Sequence, residues 1–346
     1  MPSYHFDTLE NIPDLSGKVI LITGGAYQLD KPINSFANNL LGTSGVGMET
    51  VKQLAVHSPS KIFFTGRNER AANALIESMK LLNPQVQVRF IPCDLSDLSS
   101  VRQASNRIAA KVARIDLFFC NAGVMAMPAG LSKDGYEQQF ATNHLGHALL
   151  IDLLMPILQD TASLPGSDVR IIITTSQAAM TPLVPKRGIE FGTLKTQQKM
   201  FSGRWRRYAQ SKLANMLYAR ALNRQYPCIT TLSVHPGISY TGLQDDFPLF
   251  DRFIMWVTTI GKRSPVDRLA WNGLWAATAP KGKLEAQVQG GEYYEPIGVK
   301  PKPTSYSNNI ALENELWDWT QEELGLWESR AGVKVRGSTS FSSQYS

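Results

Sequence analysis

The chain has 346 residues, of which 43% are hydrophobic and 18% are charged, and its 35 basic residues outnumber its 29 acidic residues by six. This composition supplies a large buried core and excludes disordered, collagen-like and disulfide-stapled proteins. The excess positive charge is small and spread along the chain, so a nucleic-acid partner is not expected. The nearest basic cluster, Arg204, Arg206 and Arg207, is interpreted as the solvated face of a helix.

The three cysteines, Cys93, Cys120 and Cys228, are far apart and form no CxxC pair. They are typical of reduced core thiols and do not support a zinc or dithiol motif. The first residues lack the basic and apolar regions of a signal peptide, and no apolar run reaches the roughly 18 residues that span a bilayer. We therefore expect a cytoplasmic protein without membrane association.

Short apolar runs alternate with amphipathic segments along most of the chain. The runs predict strands at 18–23, 61–65, 86–92, 115–120, 169–175 and 230–235. The segments between them predict helices at 46–57, 69–82, 98–112, 136–158 and 205–226. Ser96 is expected to cap the helix at 98–112. This order predicts an α/β fold with one domain, a doubly wound parallel sheet of the Rossmann type. Ligands of such a sheet bind at the carboxyl ends of its strands.

A glycine motif follows the first strand, but it is split. Thr23 and Gly24 end the strand, whereas Gly45, Val46 and Gly47 stand much later, at the start of the first helix. A dinucleotide site needs glycines here because the backbone must approach the pyrophosphate closely and the helix N-terminus must face it.

The 17 residues at 26–42 are an anomalous insertion in this loop. We interpret them as a translated, retained intron, because their length is in frame and their codons permit splice-site sequences. The alternative is a genuine surface loop, which costs little entropy as its length grows.

Without the insertion, the loop becomes Thr-Gly-Gly-Thr-Ser-Gly-Val-Gly, and further motifs follow it in order. They are Asp94 and Leu95 after the third strand, Asn121, Ala122 and Gly123 after the fourth, Asn143 in a helix, Ser176 at the end of the fifth, Tyr208 and Lys212 on the next helix, and Pro236, Gly237 and Thr241 after the sixth. Together they resemble the short-chain dehydrogenase/reductase family over about residues 15–300, because motifs that are weak singly are specific in this order. The segment 291–296 is similar to the last strand of the retinol-dehydrogenase-like and protochlorophyllide-reductase-like branch.

The resemblance implies an N-terminal extension at 1–16, a cofactor-binding domain at 17–300 and a C-terminal helix with a loose tail at 301–346. It also implies roles for the motif residues. The pyrophosphate is held by Thr23, Gly24, Gly45, Val46 and Gly47, and the adenine ring is held by Asp94 and Leu95. The cofactor cleft is lined by Asn121, Ala122 and Gly123, and the nicotinamide is faced by Pro236, Gly237 and Thr241. Lys212 holds the nicotinamide ribose, and Asn143 holds a water that relays the proton.

The acid–base chemistry follows from the spacing of Tyr208 and Lys212. Residues four apart lie on one face of a helix, so the Lys212 ammonium is expected to lower the pKa of the Tyr208 phenol, ordinarily about 10. The phenol then exchanges a proton with a carbonyl or alcohol oxygen, to which Ser176 hydrogen-bonds. Thr174 and Thr175 are rival candidates for that hydroxyl, and the family pattern favours Ser176.

The end of the second strand bears on the cofactor. Acidic residues at this position bind the ribose 2′-hydroxyl of NAD, but Thr65, Gly66 and Arg67 stand here and no carboxylate precedes Glu69. Arg67 is placed to pair with a 2′-phosphate, which favours NADP(H).

Two further observations concern metals and the substrate. His144 and His147 are three apart on a helix and could share a metal, but packing or capping is the preferred interpretation, and no metal is expected.

The resemblance places a substrate lid at 240–280, where the apolar residues are Phe247, Phe250, Phe253, Ile254 and Trp256. These residues favour a bulky hydrophobic ketone or alcohol as substrate.

The sequence thus predicts an NADP(H)-dependent oxidoreductase that interconverts a carbonyl and an alcohol, as fungal members that tailor polyketides or terpenoids do. The resemblance is compatible with a homodimer. Two alternatives stay open: a catalytically silent Rossmann-fold protein that binds a partner, and a membrane-associated retinoid, lipid or steroid dehydrogenase.

Overall fold

The structure is a computed structural model that describes residues 6–26, 45–199, 203–238, 264–282 and 286–332. Its strands are β1 (Val19–Ala26), β2 (Lys61–Gly66), β3 (Gln87–Pro92), β4 (Leu117–Cys120), β5 (Arg170–Thr174), β6 (Thr230–Val234) and β7 (Tyr293–Tyr294). Its α-helices are α1 (Thr8–Asn11), α2 (Val46–Ala55), α3 (Glu69–Leu82), α4 (Leu98–Ala109), α5 (Gln138–Phe140), α6 (Gly146–Ala162), α7 (Gly203–Gln225), α8 (Trp271–Thr278) and α9 (Ile310–Arg330).

The strands form one parallel sheet in the order β3-β2-β1-β4-β5-β6-β7. The strand order reverses between β1 and β4, whose registers pair Ile20 with Leu117 and Ile22 with Phe119. At such a reversal the connections leave in opposite directions, which opens a crevice at the carboxyl ends of the strands. The predicted doubly wound sheet is confirmed.

The sheet is covered on both faces, because the inner strands bury both sets of their alternating side chains, whereas the edge strand β3 exposes Gln87 and Arg89. In β1, Leu21 packs into one layer, whereas Ile20 and Ile22 pack into the other. Residues of α4, α6, α7 and α9 form the first layer, and residues of α2, α3 and α8 form the second.

The predicted helix at 136–158 is interrupted. A π-helical turn, Ala141–Leu145, separates α5 from α6. Directly after it, a Cβ on Gly146 would lie 2.3 Å from the carbonyl oxygen of Leu95, so the helix packs tightly on the loop that follows β3. The capping prediction at Ser96 is wrong, because Asp97 accepts the hydrogen bonds of the first turn of α4.

Both terminal segments pack on the sheet layers in the described part of the chain. Phe6 and Ile12 are buried, and the Phe6 ring packs edge-on against Trp271 with centroids 6.2 Å apart. Near the other end, α9 buries Leu316 and Leu324 against the first layer. The predicted tail, from residue 333 onward, lies outside the described residues.

Candidate active site

The two halves of the split glycine motif meet in space. Gly24 has a φ of +81°, and a Cβ on it would lie 2.9 Å from the Cα atom of Ala122. A Cβ on Gly47 would lie 2.6 Å from the Gly24 carbonyl oxygen and 2.8 Å from the Asn121 Nδ2 atom. Both positions therefore need glycine, and the two halves are in contact despite the residues inserted between them.

Helix α2 presents its N-terminus to this turn. Gly45 is the N-cap residue and has no side chain that could bond the first N–H groups, and Val46 begins the helix. Uncapped N–H groups at a helix N-terminus attract an anion. The glycine turn and this helix end fit the pyrophosphate of a dinucleotide.

The Thr23 hydroxyl connects the ends of β1 and β4. Its oxygen accepts hydrogen bonds from the backbone N–H groups of Asn121 (2.9 Å) and Ala122 (3.0 Å). It also lies 2.8 Å from the Nε2 atom of His147, whose Nδ1 atom lies 3.0 Å from the Asn143 carbonyl oxygen. Since the hydroxyl oxygen already accepts twice, the Thr23 proton goes to His147 Nε2, and Nδ1–H donates to Asn143.

The side chain of Asn143 holds two elements together. Its Oδ1 atom accepts from the Val124 N–H (2.7 Å), and its Nδ2 atom donates to the Val124 carbonyl (2.9 Å) and to the Ser211 hydroxyl on α7 (2.9 Å). Both Nδ2 hydrogens are therefore engaged, whereas Oδ1 and the backbone carbonyl of Asn143, which accepts from His147, have one hydrogen bond each and could each accept a second from a water. A Cβ on Gly123 would lie 3.0 Å from Asn143 Oδ1 and 3.2 Å from Lys212 Nζ, so Gly123 allows these groups to approach.

The three hydroxyl residues at the end of β5 have different partners. The Thr175 hydroxyl is buried and donates to the Lys212 carbonyl (2.6 Å), and the Thr174 hydroxyl lies 3.4 Å from Asn121 Oδ1. The Ser176 hydroxyl lies close enough to the phenol of Tyr208 for a hydrogen-bonding interaction that lowers the phenol's pKa. Of the three candidates, only Ser176 therefore reaches Tyr208 in the described part of the chain.

Tyr208 and Lys212 lie on one face of α7, as the spacing predicts, and Lys212 Nζ is 5.9 Å from the centre of the Tyr208 ring. The predicted lowering of the Tyr208 pKa is wrong for this structure. Burial raises the pKa of Tyr208, and the hydrogen bond with Ser176 only opposes that rise. Burial also lowers the pKa of Lys212 to about 8, and Lys212 Nζ donates to the Thr174 carbonyl (3.1 Å). Desolvation of both groups therefore outweighs the effect of the ammonium.

The loop after β6 lies on the other side of the crevice. Gly237, which follows Pro236, has a φ of +100°, and a Cβ on it would lie 3.5 Å from Leu269 and 3.5 Å from Pro296. Thr241 lies outside the described residues, as do residues 240–263 of the predicted lid with its five apolar residues. The carboxyl ends of β1, β4, β5 and β6 thus surround one crevice.

Comparison with known proteins identifies the family. A family model described as short chain dehydrogenase matches residues 41–186. The chain is 34% identical over 328 residues to the short-chain dehydrogenase/reductase drtF of Aspergillus calidoustus, covering 90% of this chain and 95% of that relative. The chain belongs to the short-chain dehydrogenase/reductase family. It is therefore an oxidoreductase by family, and the match to the family model begins only at residue 41, near the end of the insertion.

Solved structures support the same fold. An uncharacterised protein from Mycobacterium paratuberculosis is 27% identical and superposes with a TM-score of 0.65, covering 92% of this chain and 97% of that one. The active-site complex of Pseudomonas aeruginosa RhlG with NADP is 18% identical with a TM-score of 0.60, covering 82% and 96%. Within the described residues, no helix combines the length and the apolar character that crossing a membrane requires.

Two positions lie where the family pattern predicts the adenosine end of the cofactor. Asp94 follows β3, but its carboxylate accepts from the N–H (2.9 Å) and the hydroxyl (2.7 Å) of Ser96, and Leu95 is buried beneath Gly146. Arg67 is exposed at the turn after β2.

The histidines predicted to pack or cap do so. His144 lies 2.9 Å from the Thr320 hydroxyl on α9, and His147 lies between Thr23 and Asn143. Burial lowers the pKa of His144 to about 3 and that of His147 to about 4, so both imidazoles are neutral. No group of three metal-binding side chains occurs among the described residues.

Arg207 corrects a prediction. It was expected on a solvated face, but it is buried and lies 3.2 Å from the carboxylate of Glu137, which is also buried. Its guanidinium donates to the carbonyls of Met127 and Gln198 (both 3.0 Å). The ion pair of Arg207 and Glu137 fixes the start of α7, directly before Tyr208, to the loop after β4. Its partners are distant in sequence, so no local pattern could have indicated it.

Proposed function

We propose that the protein is an NADP(H)-dependent oxidoreductase that interconverts a carbonyl and an alcohol on a bulky hydrophobic small molecule. The observation that carries the proposal is the arrangement of Tyr208 with Lys212 one helical turn away and the Ser176 hydroxyl nearby, in the crevice that the glycine turn opens. The proposed setting is the tailoring of a secondary metabolite, and it rests on the family resemblance; drtF, to which the chain is similar, is a fungal short-chain dehydrogenase/reductase.

The cofactor, when bound, supplies or accepts the hydride. The glycine turn and the α2 N-terminus, with Thr23, would hold its pyrophosphate, and Asp94 and Leu95 would flank its adenine. Asn121, Ala122, Gly123, Pro236, Gly237 and Thr241 would line the nicotinamide side, and Lys212 would bind the adjacent ribose. Arg67 would pair with the 2′-phosphate, since its exposed guanidinium follows β2 and no carboxylate stands there.

Tyr208 is proposed as the general acid. A phenol with its ordinary pKa of about 10 is protonated at neutral pH, so it can donate that proton to a carbonyl oxygen as the oxygen gains negative charge. The Ser176 hydroxyl would hydrogen-bond to the same oxygen and stabilise that charge.

The proton that Tyr208 gives up must be replaced. Lys212, with a pKa of about 8, is mostly protonated at neutral pH and is the nearest proton donor on the same helix face. The Asn143 backbone carbonyl, which accepts one hydrogen bond from His147, retains a lone pair that could hold a water near Lys212. We propose this path for proton delivery to Tyr208.

The test compares wild type with Tyr208→Phe and with Tyr226→Phe, a control at the far end of α7. Ketone reduction is followed by the loss of NADPH absorbance, and NADPH binding by fluorescence titration. Removing the general acid should lower kcat by about 10²- to 10⁴-fold with NADPH affinity unchanged, whereas the control should match wild type.

Equal activity of wild type and Tyr208→Phe would contradict the assignment. Absence of turnover in wild type with intact NADPH binding would instead favour the silent, partner-binding alternative.

Arg67→Ala should raise the KM for NADPH by about tenfold and leave the KM for NADH unchanged, because a charge-assisted contact to the phosphate is lost.

A further inference from the structure

The carboxylate of Glu295, directly after β7, is hydrogen-bonded to the residue that follows Ser176. The Oε2 atom of Glu295 accepts a hydrogen bond from Gln177 Nε2 (2.9 Å), and Gln177 directly follows Ser176. The Oε1 atom accepts from the Tyr293 hydroxyl at 3.4 Å. The phenol of Tyr208 is close enough to Tyr293 to contribute to the rise of the Tyr293 pKa, behind burial and Glu295 itself.

The segment that carries Glu295 therefore contacts both sides of the crevice. Ser176 and Tyr208 lie on the Gln177 side. On the other side, the next residue after Glu295 is Pro296, whose Cγ atom lies 3.5 Å from the Cβ position of Gly237 in the loop after β6.

The backbone that carries Glu295 is rigidly held. The Glu295 N–H donates to the Val299 carbonyl (2.8 Å), and the Val299 N–H donates back (3.0 Å), which closes a tight turn. The buried amide of Asn272 donates to the carbonyls of His235 (2.7 Å) and Tyr294 (3.0 Å) and accepts from the Gly298 N–H (3.1 Å). One side chain thus ties this turn to the end of β6, so Glu295 keeps a constant position relative to the crevice.

The carboxylate retains capacity to bind another group. Glu295 is half-buried rather than buried, and each of its oxygens has one hydrogen bond where two or more can be accepted. No Lys or Arg of the described residues pairs with it. A further hydrogen-bond donor stabilises the charge of a partly desolvated carboxylate whose other partners are neutral.

We propose that Glu295 forms a substrate subsite that accepts a hydrogen bond from a hydroxyl group close to the reacting carbonyl. The inference rests on the proposed carbonyl–alcohol activity and narrows its substrate class to hydroxyketones and the corresponding diols. Gln177 and Tyr293 position the carboxylate.

The test uses ketone pairs in which a hydroxyl replaces a methyl group of similar size. Phenacyl alcohol is compared with propiophenone, and β-hydroxypropiophenone with butyrophenone. The enzymes are wild type, Glu295→Leu, Glu295→Gln, and the control Glu292→Gln, whose carboxylate pairs with Lys300 on the same segment. For each, kcat and KM are measured with NADPH.

Wild type should prefer the hydroxyketone of at least one pair by about 10- to 100-fold in kcat/KM, mainly through KM. Glu295→Leu should abolish that preference while its kcat/KM for propiophenone and butyrophenone stays within threefold, which also shows that the variant is folded. Glu295→Gln, which keeps an acceptor without the charge, should retain part of the preference. The control should retain all of it.

The subsite is overturned if Glu295→Leu keeps the preference for the hydroxyketone, or if wild type reduces the methyl ketones but shows no such preference. Either result leaves the proposed activity standing. Absence of turnover by wild type with all four ketones, and with their alcohols and NADP, overturns the proposed activity together with the subsite.

Discussion

The contact between Gly24 and Gly47 makes a specific prediction about Gly47→Ala. The added Cβ would lie 2.6 Å from the Gly24 carbonyl oxygen, where ordinary contact begins near 3.4 Å. The two backbones must therefore separate by about 0.8 Å. Gly24 has little room to move, because its own Cβ position is only 2.9 Å from Ala122 and β1 is paired on both sides.

The size of the effect follows from that displacement. Overpacking at a rigid contact costs about 1–3 kcal/mol, so the free energy of unfolding should fall by that amount. Displacing the turn that approaches the pyrophosphate by almost 1 Å should raise the Kd for NADPH by about 10- to 100-fold. The control is Gly325→Ala in α9, where nothing lies within 4 Å of the new Cβ and helix propensity adds about 0.5–1 kcal/mol of stability.

The measurements are chemical denaturation and NADPH fluorescence titration of wild type and both variants. If Gly47→Ala unfolds at the same denaturant concentration as wild type and binds NADPH within twofold, the reasoning is refuted. The two halves of the glycine motif would then not be in contact in solution, and the insertion would separate them in space as it does in sequence.

Three further predictions concern the insertion and two buried charges. Deleting residues 26–42 should raise the unfolding free energy by about 1 kcal/mol, through the shorter loop, and leave the Kd for NADPH within threefold; binding by the deleted chain alone would instead support the intron interpretation. Burial lowers the pKa of Lys212 to about 8 in the folded protein, whereas the unfolded chain has the ordinary Lys value of about 10.4. Between these two pH values, Lys212 is protonated in the unfolded chain and neutral in the folded protein. Wild-type unfolding free energy should therefore rise across that window, relative to Lys212→Met, by up to about 3 kcal/mol, and parallel curves would contradict the assignment. Glu137→Gln leaves buried Arg207 without its counter-charge and should lower the unfolding free energy by about 3 kcal/mol, whereas Glu77→Gln in an exposed pair should change it by less than about 0.5 kcal/mol; equal losses in denaturation would refute the burial argument.

Local patterns were sufficient for the elements. Strand predictions at 61–65 and 230–235 differ from β2 and β6 by one residue at the C-terminal end, because an apolar run between turn residues is a local property. The prediction at 136–158 missed the π-helical turn around Asn143, which depends on bonds to Val124 and Ser211 rather than on periodicity.

For the site, the motif order predicted residues most of which the structure places around one crevice, but their chemistry depended on their surroundings. The Tyr208 pKa is an example. The four-residue spacing to Lys212 predicts a lowered pKa, whereas burial of both side chains raises it. The catalytic and cofactor roles of these residues stay predictions that the experiments above test.

The sequence by itself determined the alternation of elements, the family and the strand ends at which polar residues gather, because all three are recorded in short runs of neighbouring residues. Only the tertiary structure decided that Gly24 meets Gly47 across the insertion, that Ser176 rather than Thr174 or Thr175 lies near Tyr208, and that Glu295 bonds to Gln177 next to Ser176. These contacts join residues distant in the chain, and the register of a parallel sheet, which places the carboxyl ends of β1, β4, β5, β6 and β7 together, is what brings them within reach.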